Sequence, residues 1–316
     1  MSAIHLYFWH FDGDFSINYT MNKLWKNLGV GAVAIVVVAF FANPTRYMQC
    51  FFDGLAVWAH NVLPALFPFS LLGALLTNSQ KAPKKRGLFG KLFNTQNGTQ
   101  LFVLNLLCGY PVGAKLVSQH TTDKRLALKL FSFCSSASPV FLIVTIGANL
   151  LRNTTATIVL VASHVLSVVA NGLLHRNDKT TENTCNFNLQ QDFSQSLTNT
   201  VLSMLSVGSL VALFFMLTSI VEDLLPSTLT QNNFFRFAVG LCEMTNGAIA
   251  ICQNNDVFVS TVLVCAIVSF GGLCVLLQSY AFLCKCNVSL WEMTKIKATQ
   301  SAFATLFCFV LALIFL

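Results

Sequence analysis

The sequence predicts an all-α polytopic membrane protein with about seven transmembrane helices and two re-entrant helical hairpins, arranged as two inverted repeats. Its 316 residues are 55% hydrophobic and only 10% charged, with 29 phenylalanines and a mean hydropathy of +0.66. Soluble domains carry roughly 25% charged residues. Several apolar runs reach the roughly 20 residues that an α-helix needs to cross the hydrocarbon core. Most basic residues lie between these runs.

The charge and the cysteines exclude two other classes of function. A formal net charge of +7 does not indicate a nucleic-acid partner here, because membrane topology explains basic loops more simply. None of the eleven cysteines belongs to a Cys-x-x-Cys pair, and we interpret those in apolar runs as reduced, small core residues. Cys284 and Cys286 flank Lys285 without nearby histidines, so no metal and no other cofactor is expected.

Crossing helices are predicted where about 20 mostly apolar residues follow one another. These runs are 24–42, 54–77, 126–151, 155–174, 197–225, 257–283 and 298–316. Residues 1–20 are polar and aromatic, and we predict a flexible extension or a true start at Met21. A cleavable signal peptide is less favoured, because no small-x-small site follows the first apolar run. Residues 21–316 then form a single membrane domain, with repeat one at about 51–152, repeat two at about 193–284 and a last helix at 285–316.

Two further apolar stretches, 101–119 and 234–253, are interrupted in the middle by Gly, Pro, Asn or a charged residue. Irregular backbone at membrane depth is tolerated only where protein or a cavity surrounds it, so we predict a re-entrant hairpin at each stretch. With the amino terminus inside, fifteen lysines and arginines, from Lys23 to Lys297, then fall on the cytoplasmic side and three outside, with Lys115 in the membrane. The positive-inside rule therefore predicts a multi-pass membrane protein with a cytoplasmic amino terminus.

The two hairpin sequences are related to each other. LLCGYPVGAKLVSQ (106–119) and GLCEMTNGAIAICQ (240–253) align without gaps, and their five identical pairs lie 134 residues apart. The same offset pairs Ser135 in SFCSSASPVF with Ser269 in IVSFGGLCVL. Two repeats of opposite orientation, each with a hairpin and a broken helix, are the plan of a secondary transporter.

In the first hairpin the candidate ligand-binding or ion-binding residues are Gly109, Tyr110, Pro111, Gly113 and Lys115. The glycines and the proline would break the helix and free backbone N–H groups at the start of the next half-helix, whose dipole favours anionic or electron-rich groups. The alternative is that the glycines serve close helix packing alone. Lys115 would cost about 2.5–3.5 kcal/mol at a helix centre. It either binds a ligand, pairs with a carboxylate, or snorkels to the cytoplasmic interface.

The second hairpin contains an isolated carboxyl group, Glu243, followed by Thr245 and Asn246. Such a group could carry a coupled proton or, when ionised, ligate Na⁺, so H⁺ or Na⁺ is the predicted coupling ion. The alternative is a structural glutamate that caps a helix or pairs with Lys115.

The two predicted helix breaks add polar atoms without charge. These belong to Ser135, Ser136 and Ser138, before Pro139, and to Ser269, Gly271 and Gly272. Serines often bond only to the preceding turn, but the symmetric pair of breaks favours the lining of a cavity. His60 and His164 are single histidines, which we interpret as packed or interfacial.

Five segments, taken in order and spacing, resemble the YlbJ-type sporulation integral membrane proteins of spore-forming Firmicutes. They are LPALFPF (63–69), LLCGYPVGAKL (106–116), SFCSSASPVFL (132–142), GLCEMTNG (240–247) and SFGGL (269–273). That family is part of a wider group with the Gate or nucleoside-recognition domain, which includes the spore maturation proteins and has relatives in nucleoside transporters and in the membrane part of the ferrous iron transporter FeoB. The resemblance covers about residues 45–285. It implies a bacterial inner-membrane protein with a transporter-like fold and a place in spore development, without fixing a substrate.

No enzyme motif is present, since H-E-x-x-H, G-x-S-x-G and a phosphate-cradling glycine loop are all missing from the sequence. The predicted function is a secondary transporter or permease of a small polar metabolite, with a nucleoside-like solute as one candidate. A non-transporting scaffold or assembly factor for the spore envelope is the alternative. The expected partners are the lipid bilayer and a small polar solute; a homo-oligomer and sporulation membrane partners are both open.

Overall fold

The computed structural model describes residue 34 and residues 36–78, 86–178 and 193–316. Thr45–Leu316 forms one compact unit, and the described part of this unit is helical with connecting turns and no strand. In the unit that precedes it, residues 36–42 are helical. The predicted extension 1–20 and most of the predicted span 24–42 lie outside the described residues.

The first half of the compact unit contains seven α-helices and two π-helical segments within the described residues. In chain order these are α1 Pro44–Val57, π1 Trp58–Val62, α2 Leu63–Asn78, α3 Leu88–Leu92, α4 Gly98–Cys108, α5 Val112–His120, α6 Lys124–Phe131, π2 Phe141–Leu151 and α7 Thr154–Leu174. The second half contains α8 Phe193–Leu224, α9 Ser227–Thr230, α10 Asn233–Cys242, α11 Met244–Asn254, α12 Val257–Phe270, α13 Gly272–Leu283, a 3₁₀ turn at Cys284–Cys286 and α14 Leu290–Phe315.

Five segments of the described chain are long and apolar enough to cross a membrane, which confirms the all-α polytopic fold. They are Pro44–Leu75, Thr154–Leu174, Phe193–Leu224, Val257–Cys286 and Leu290–Phe315. Each overlaps a span that the sequence predicts. The predicted span 126–151 contains the helix break that the sequence pattern indicates, because the chain leaves the helix after α6, which ends at Phe131, and is helical again from Pro139 into π2. The segment between them is rich in serine, and Pro139 at its end cannot donate a helical hydrogen bond.

The helices of the two halves correspond at close to the 134-residue offset of the hairpin sequences. Helix α4 corresponds to α10, α5 to α11, and α7 to α14. The contacts follow the same correspondence. Equivalent helices pack on each other, α7 on α14 and α2 on α8. The contact of α5 with α13 in one direction is matched by the contact of their equivalents, α11 and π2, in the other. Contacts between equivalent elements are what a two-fold relation of the halves produces. The side of the membrane on which each hairpin enters stays a prediction.

The long helices α7, α12 and α14 pack against one another and carry the centre of the unit. Small side chains lie where they meet, among them Ala156, Cys265, Ala304 and Cys308, all fully buried. Small residues let membrane helices approach closely. The described cysteines are free thiols, and the close packing of these three helices fixes the positions of the polar side chains described next.

Candidate functional site

The first hairpin breaks between α4 and α5. Gly109 ends α4 with φ 69° and ψ −162°, a region of backbone space essentially restricted to glycine. A Cβ at this position would lie 2.7 Å from the backbone nitrogen of Ser138, so the tip rests directly on the break before π2. Gly113 is packed as closely, because a Cβ there would meet the carbonyl oxygen of Cys134 and the side chain of Asn105. The tip therefore packs on the first helix break.

Gly109→Asn is expected to destabilise the protein strongly, by about 1–3 kcal/mol from backbone strain alone, with the clash against Ser138 in addition. Gly271 also has a positive φ, 89°, but with ψ −11° it lies nearer the left-handed helical region, which asparagine tolerates. Gly271→Asn is the matched control and is expected to lower the melting temperature far less. Equal shifts for the two variants in a thermal unfolding assay would contradict this assignment.

The second hairpin breaks at Glu243, which has extended backbone angles, φ −138° and ψ 114°, between α10 and α11. Its side chain is 2% exposed and accepts a hydrogen bond of 2.7 Å from the backbone N–H of Asn246. The Asn246 side chain donates to the Thr218 hydroxyl group on α8 at 2.8 Å. Glu243 is thus a helix cap whose neighbours tie the tip to α8.

Lys115 lies on α5 and is half-buried. Within the described ranges its ammonium group forms no ion pair, and the Glu243 carboxylate forms none either. The structure therefore does not support Lys115 as the counter-ion of Glu243, whereas its partial exposure fits a side chain that snorkels. Whether Lys115 contacts a ligand stays a prediction.

Two of the three serines at the first break have structural partners. Ser136 accepts a hydrogen bond of 2.7 Å from the Asn105 side chain on α4. The Ser138 hydroxyl group accepts one of 3.2 Å from the backbone N–H of Phe141 at the start of π2. The Ser135 hydroxyl group is buried without a hydrogen-bond partner among the described residues. Ser136 and Ser138 therefore have structural contacts as acceptors, whereas no described partner is found for the Ser135 hydroxyl group.

The second break lies between α12 and α13, at Gly271 and Gly272 with φ 89° and 75°. The ring of Tyr110, from the first hairpin tip, lies against Gly271. The carbonyl oxygens of Gly240 and Cys242, from the second hairpin, lie close to Gly272. Both hairpin tips therefore meet at this break.

Lys297 on α14 is the main functional candidate that the sequence did not indicate. Lys297 is 1% exposed. Its ammonium group donates three hydrogen bonds, to the Tyr110 hydroxyl group at 2.6 Å, to the Ser135 carbonyl oxygen at 2.7 Å and to the Gln300 side-chain oxygen at 2.6 Å. The sequence places this lysine just before the last span, 298–316, whereas the structure buries it within α14, which begins at Leu290 under a Ser289–Glu292 capping box. The side of the membrane nearest to Lys297 stays a prediction. The available signal was its spacing of three residues from Gln300, which puts both polar groups on one helix face.

His164 on α7 makes the related contact to the other break. Its Nδ1 atom is hydrogen-bonded to the Ser269 hydroxyl group at 2.8 Å, and the ring is fully buried. Ser135 and Ser269 are equivalent by the 134-residue offset, so each break serine is contacted by a basic side chain from the long helix of the other half. From the sequence, His164 is interpreted as a packed or interfacial histidine. Its burial agrees with packing, but the contact with Ser269 was not predicted.

These side chains form one buried group, called here the central polar cluster: Tyr110, Ser135, His164, Ser269, Lys297 and Gln300. The three N–H groups of Lys297 have neutral acceptors, and no described carboxylate lies within ion-pair distance of it. The Ser135 hydroxyl group and the Gln300 side-chain nitrogen have no described partner. Buried polar groups are normally hydrogen-bonded, so the cluster has the capacity to donate hydrogen bonds to a polar solute. Nowhere in the described ranges do three or more His, Cys, Asp or Glu side chains lie close enough to hold a metal ion.

The chain is similar to the sporulation integral membrane protein YlbJ of Bacillus subtilis (strain 168), with 27% identity over 150 residues. The match covers 43% of this chain and 36% of the length of that protein. This similarity supports the YlbJ-type relationship that the sequence motifs indicate. No family model matches the chain, and no solved structure matches it significantly.

Proposed function

We propose that this protein is a secondary transporter or permease for a small polar solute, with the central polar cluster as the occluded point of its pathway. The observation that carries the proposal is the meeting of both hairpin tips with the second helix break, beside the buried ammonium group of Lys297. Discontinuous helices of two related halves around a polar centre are typical of transporters with alternating access. Nothing in a purely structural membrane bundle requires a buried lysine and two broken hairpins.

The residues have distinct roles in this proposal. Tyr110 and the Ser135 carbonyl oxygen are held by Lys297, so a change at this lysine would release the first hairpin tip from α14. Glu243 at the second tip is the candidate for the coupling ion, either H⁺ or Na⁺. The solute would be a small polar metabolite, with nucleosides among the candidates. The similarity to a sporulation protein favours a place in spore development, in the bacterial inner membrane with the amino terminus in the cytoplasm.

The test uses the full-length protein, purified and reconstituted in liposomes. A panel of nucleosides, dicarboxylates and amino acids is screened first by thermal shift, because a solute that binds the native state stabilises it by mass action. Any solute that stabilises the protein is then tested for uptake with and without a proton or sodium gradient. We expect at least one solute to raise the melting temperature and to accumulate in proteoliposomes but not in empty liposomes.

The proposal is overturned if no solute stabilises the protein or enters the liposomes while a membrane protein co-purifies with it in mild detergent. That result would favour the scaffold or assembly factor. If uptake is unchanged after the cluster residues are substituted, the protein is a transporter but its pathway does not pass through the central polar cluster.

A further inference from the structure

A long groove lies on the outer surface of the bundle, away from the central polar cluster. It has a volume of about 680 Å³ and follows the junction of π2 and α7. Its apolar walls include Ile143, Ala148, Ile158 and Ala162, and Arg152 lies at one end. The two helices approach closely at this groove, because a Cβ at Gly147 would meet the side chain of Thr157.

The polar end differs in character from the walls. Arg152 ends π2 in the left-handed conformation, with φ 51°, and its Nε atom donates to the carbonyl oxygen of Asn149 at 3.2 Å. The side chain is exposed, and it forms no ion pair with any carboxylate in the described parts of the chain. The rest of its guanidinium group is therefore available to an anion, and a phosphate group suits its planar set of donors.

The dimensions fit one leaflet of a bilayer. From Thr154 to Ala162 the helix rises about 12 Å, and half of the hydrocarbon core is about 15 Å thick. Thr154–Leu174 is long and apolar enough to cross a membrane, and a crossing by this helix places the apolar walls at the depth of lipid tails and Arg152, just before it, at the level of the headgroups. Lipid tails gain little by leaving other lipid for this groove, so selectivity must come from the charge at its end.

We propose that this groove binds one anionic phospholipid, with the phosphate on Arg152 and an acyl chain along Ile143, Ala148, Ile158 and Ala162. This inference does not depend on the transport function. The experiment measures lipid binding by the delipidated full-length protein, using native mass spectrometry and thermal shift with added phosphatidylglycerol or phosphatidylethanolamine. Wild-type protein should retain phosphatidylglycerol at least fivefold better than phosphatidylethanolamine and gain thermal stability only from the former.

Two variants separate the parts of the site. Arg152→Gln should remove the preference for phosphatidylglycerol, and Ala148→Phe should fill the groove and reduce binding of both lipids. Arg176→Gln, an exposed arginine beyond the other end of α7, is the matched control and should bind like wild type. Ala148→Ser is the control at the same position. It adds little volume to the groove, so it should bind both lipids like wild type. Equal phosphatidylglycerol preference in wild type and Arg152→Gln overturns the proposal, and so does unchanged binding in Ala148→Phe.

Discussion

Lys297→Ala is expected to abolish transport and to lower the free energy of unfolding by about 2 kcal/mol or more. The substitution leaves the buried Ser135 carbonyl oxygen and the Gln300 side-chain oxygen without their donor, and each buried unsatisfied group costs about 1–3 kcal/mol. Removing a desolvated charge offsets part of that cost. The loss of transport follows from the Tyr110 contact, because the first hairpin tip would no longer be held against α14.

The matched control is Lys295→Ala, two residues earlier on the same helix. Lys295 is exposed, and its ammonium group lies 5.3 Å from the centre of the Trp291 ring. An exposed cation–π contact contributes about 0.5–1 kcal/mol, so stability should fall only slightly and transport should be retained. Tyr110→Phe removes one of the three acceptors and should reduce uptake without a large change in melting temperature. A Lys297→Ala protein that unfolds and transports like wild type would remove this lysine from the mechanism.

The backbone of the two hairpins was predictable from the sequence because local rules decide it. Gly109, Pro111 and Glu243 stand in apolar runs where any helix-breaking or charged residue is costly. The structure ends a helix at Gly109 and at Glu243 and begins one after Pro111. The same rules predicted the helix break around Ser135–Pro139 within the span 126–151. Serines offer the backbone alternatives to helical hydrogen bonds, and Pro139 lacks the N–H that a continuing helix would need.

The side-chain contacts at the centre were not predictable in the same way. Lys297 and Tyr110 are 187 residues apart, so no local pattern connects them. Lys297 also follows the polar start of α14, where a lysine is ordinary in an interfacial helix end. A serine in a break can cap a helix, bind a neighbour or contact a ligand with the same hydroxyl group. Only the fold separates Ser136 and Ser138, whose hydroxyl groups have partners, from Ser135, whose hydroxyl group has none among the described residues.

The correspondence of the two halves explains why part of the central polar cluster was predictable from the sequence and the rest was not. Ser135 and Ser269 are equivalent positions and could be recognised as a pair. Their basic partners are not equivalent, because the 134-residue offset sets Lys297 against Ser163 and His164 against Ala298. Each half therefore contributes the same backbone break but a different partner. This asymmetry is expected where a two-fold related scaffold must bind a solute that lacks two-fold symmetry.

Glu243→Gln is expected to keep the fold and to reduce transport at least tenfold or to change its dependence on pH. A glutamine side-chain oxygen can still accept the hydrogen bond from the backbone N–H of Asn246 that the carboxylate now accepts, so the cap on α11 survives. The lost charge at the helix start costs about 0.3–1 kcal/mol. Glu243→Ala removes the cap as well, and a lost cap costs about 0.5–2 kcal/mol. Melting temperature and uptake at several pH values measure both effects.

Asp256→Asn provides a matched control for Glu243→Gln, because Asp256 caps α12 through the backbone N–H of Val259 at 2.9 Å but is exposed. Asp256→Asn should lose the same charge at the start of its helix as Glu243→Gln does, and it should keep normal transport.

A structural ion pair of Glu243 with Lys115 makes a different prediction: the double variant Glu243→Gln with Lys115→Gln would recover the stability that either single variant loses. Since the two side chains form no ion pair in the described structure, we expect their effects on stability to add. Compensation in the double variant would show that the two charges meet in another conformation, and a Glu243→Gln protein with normal uptake at every pH would exclude this carboxylate from ion coupling.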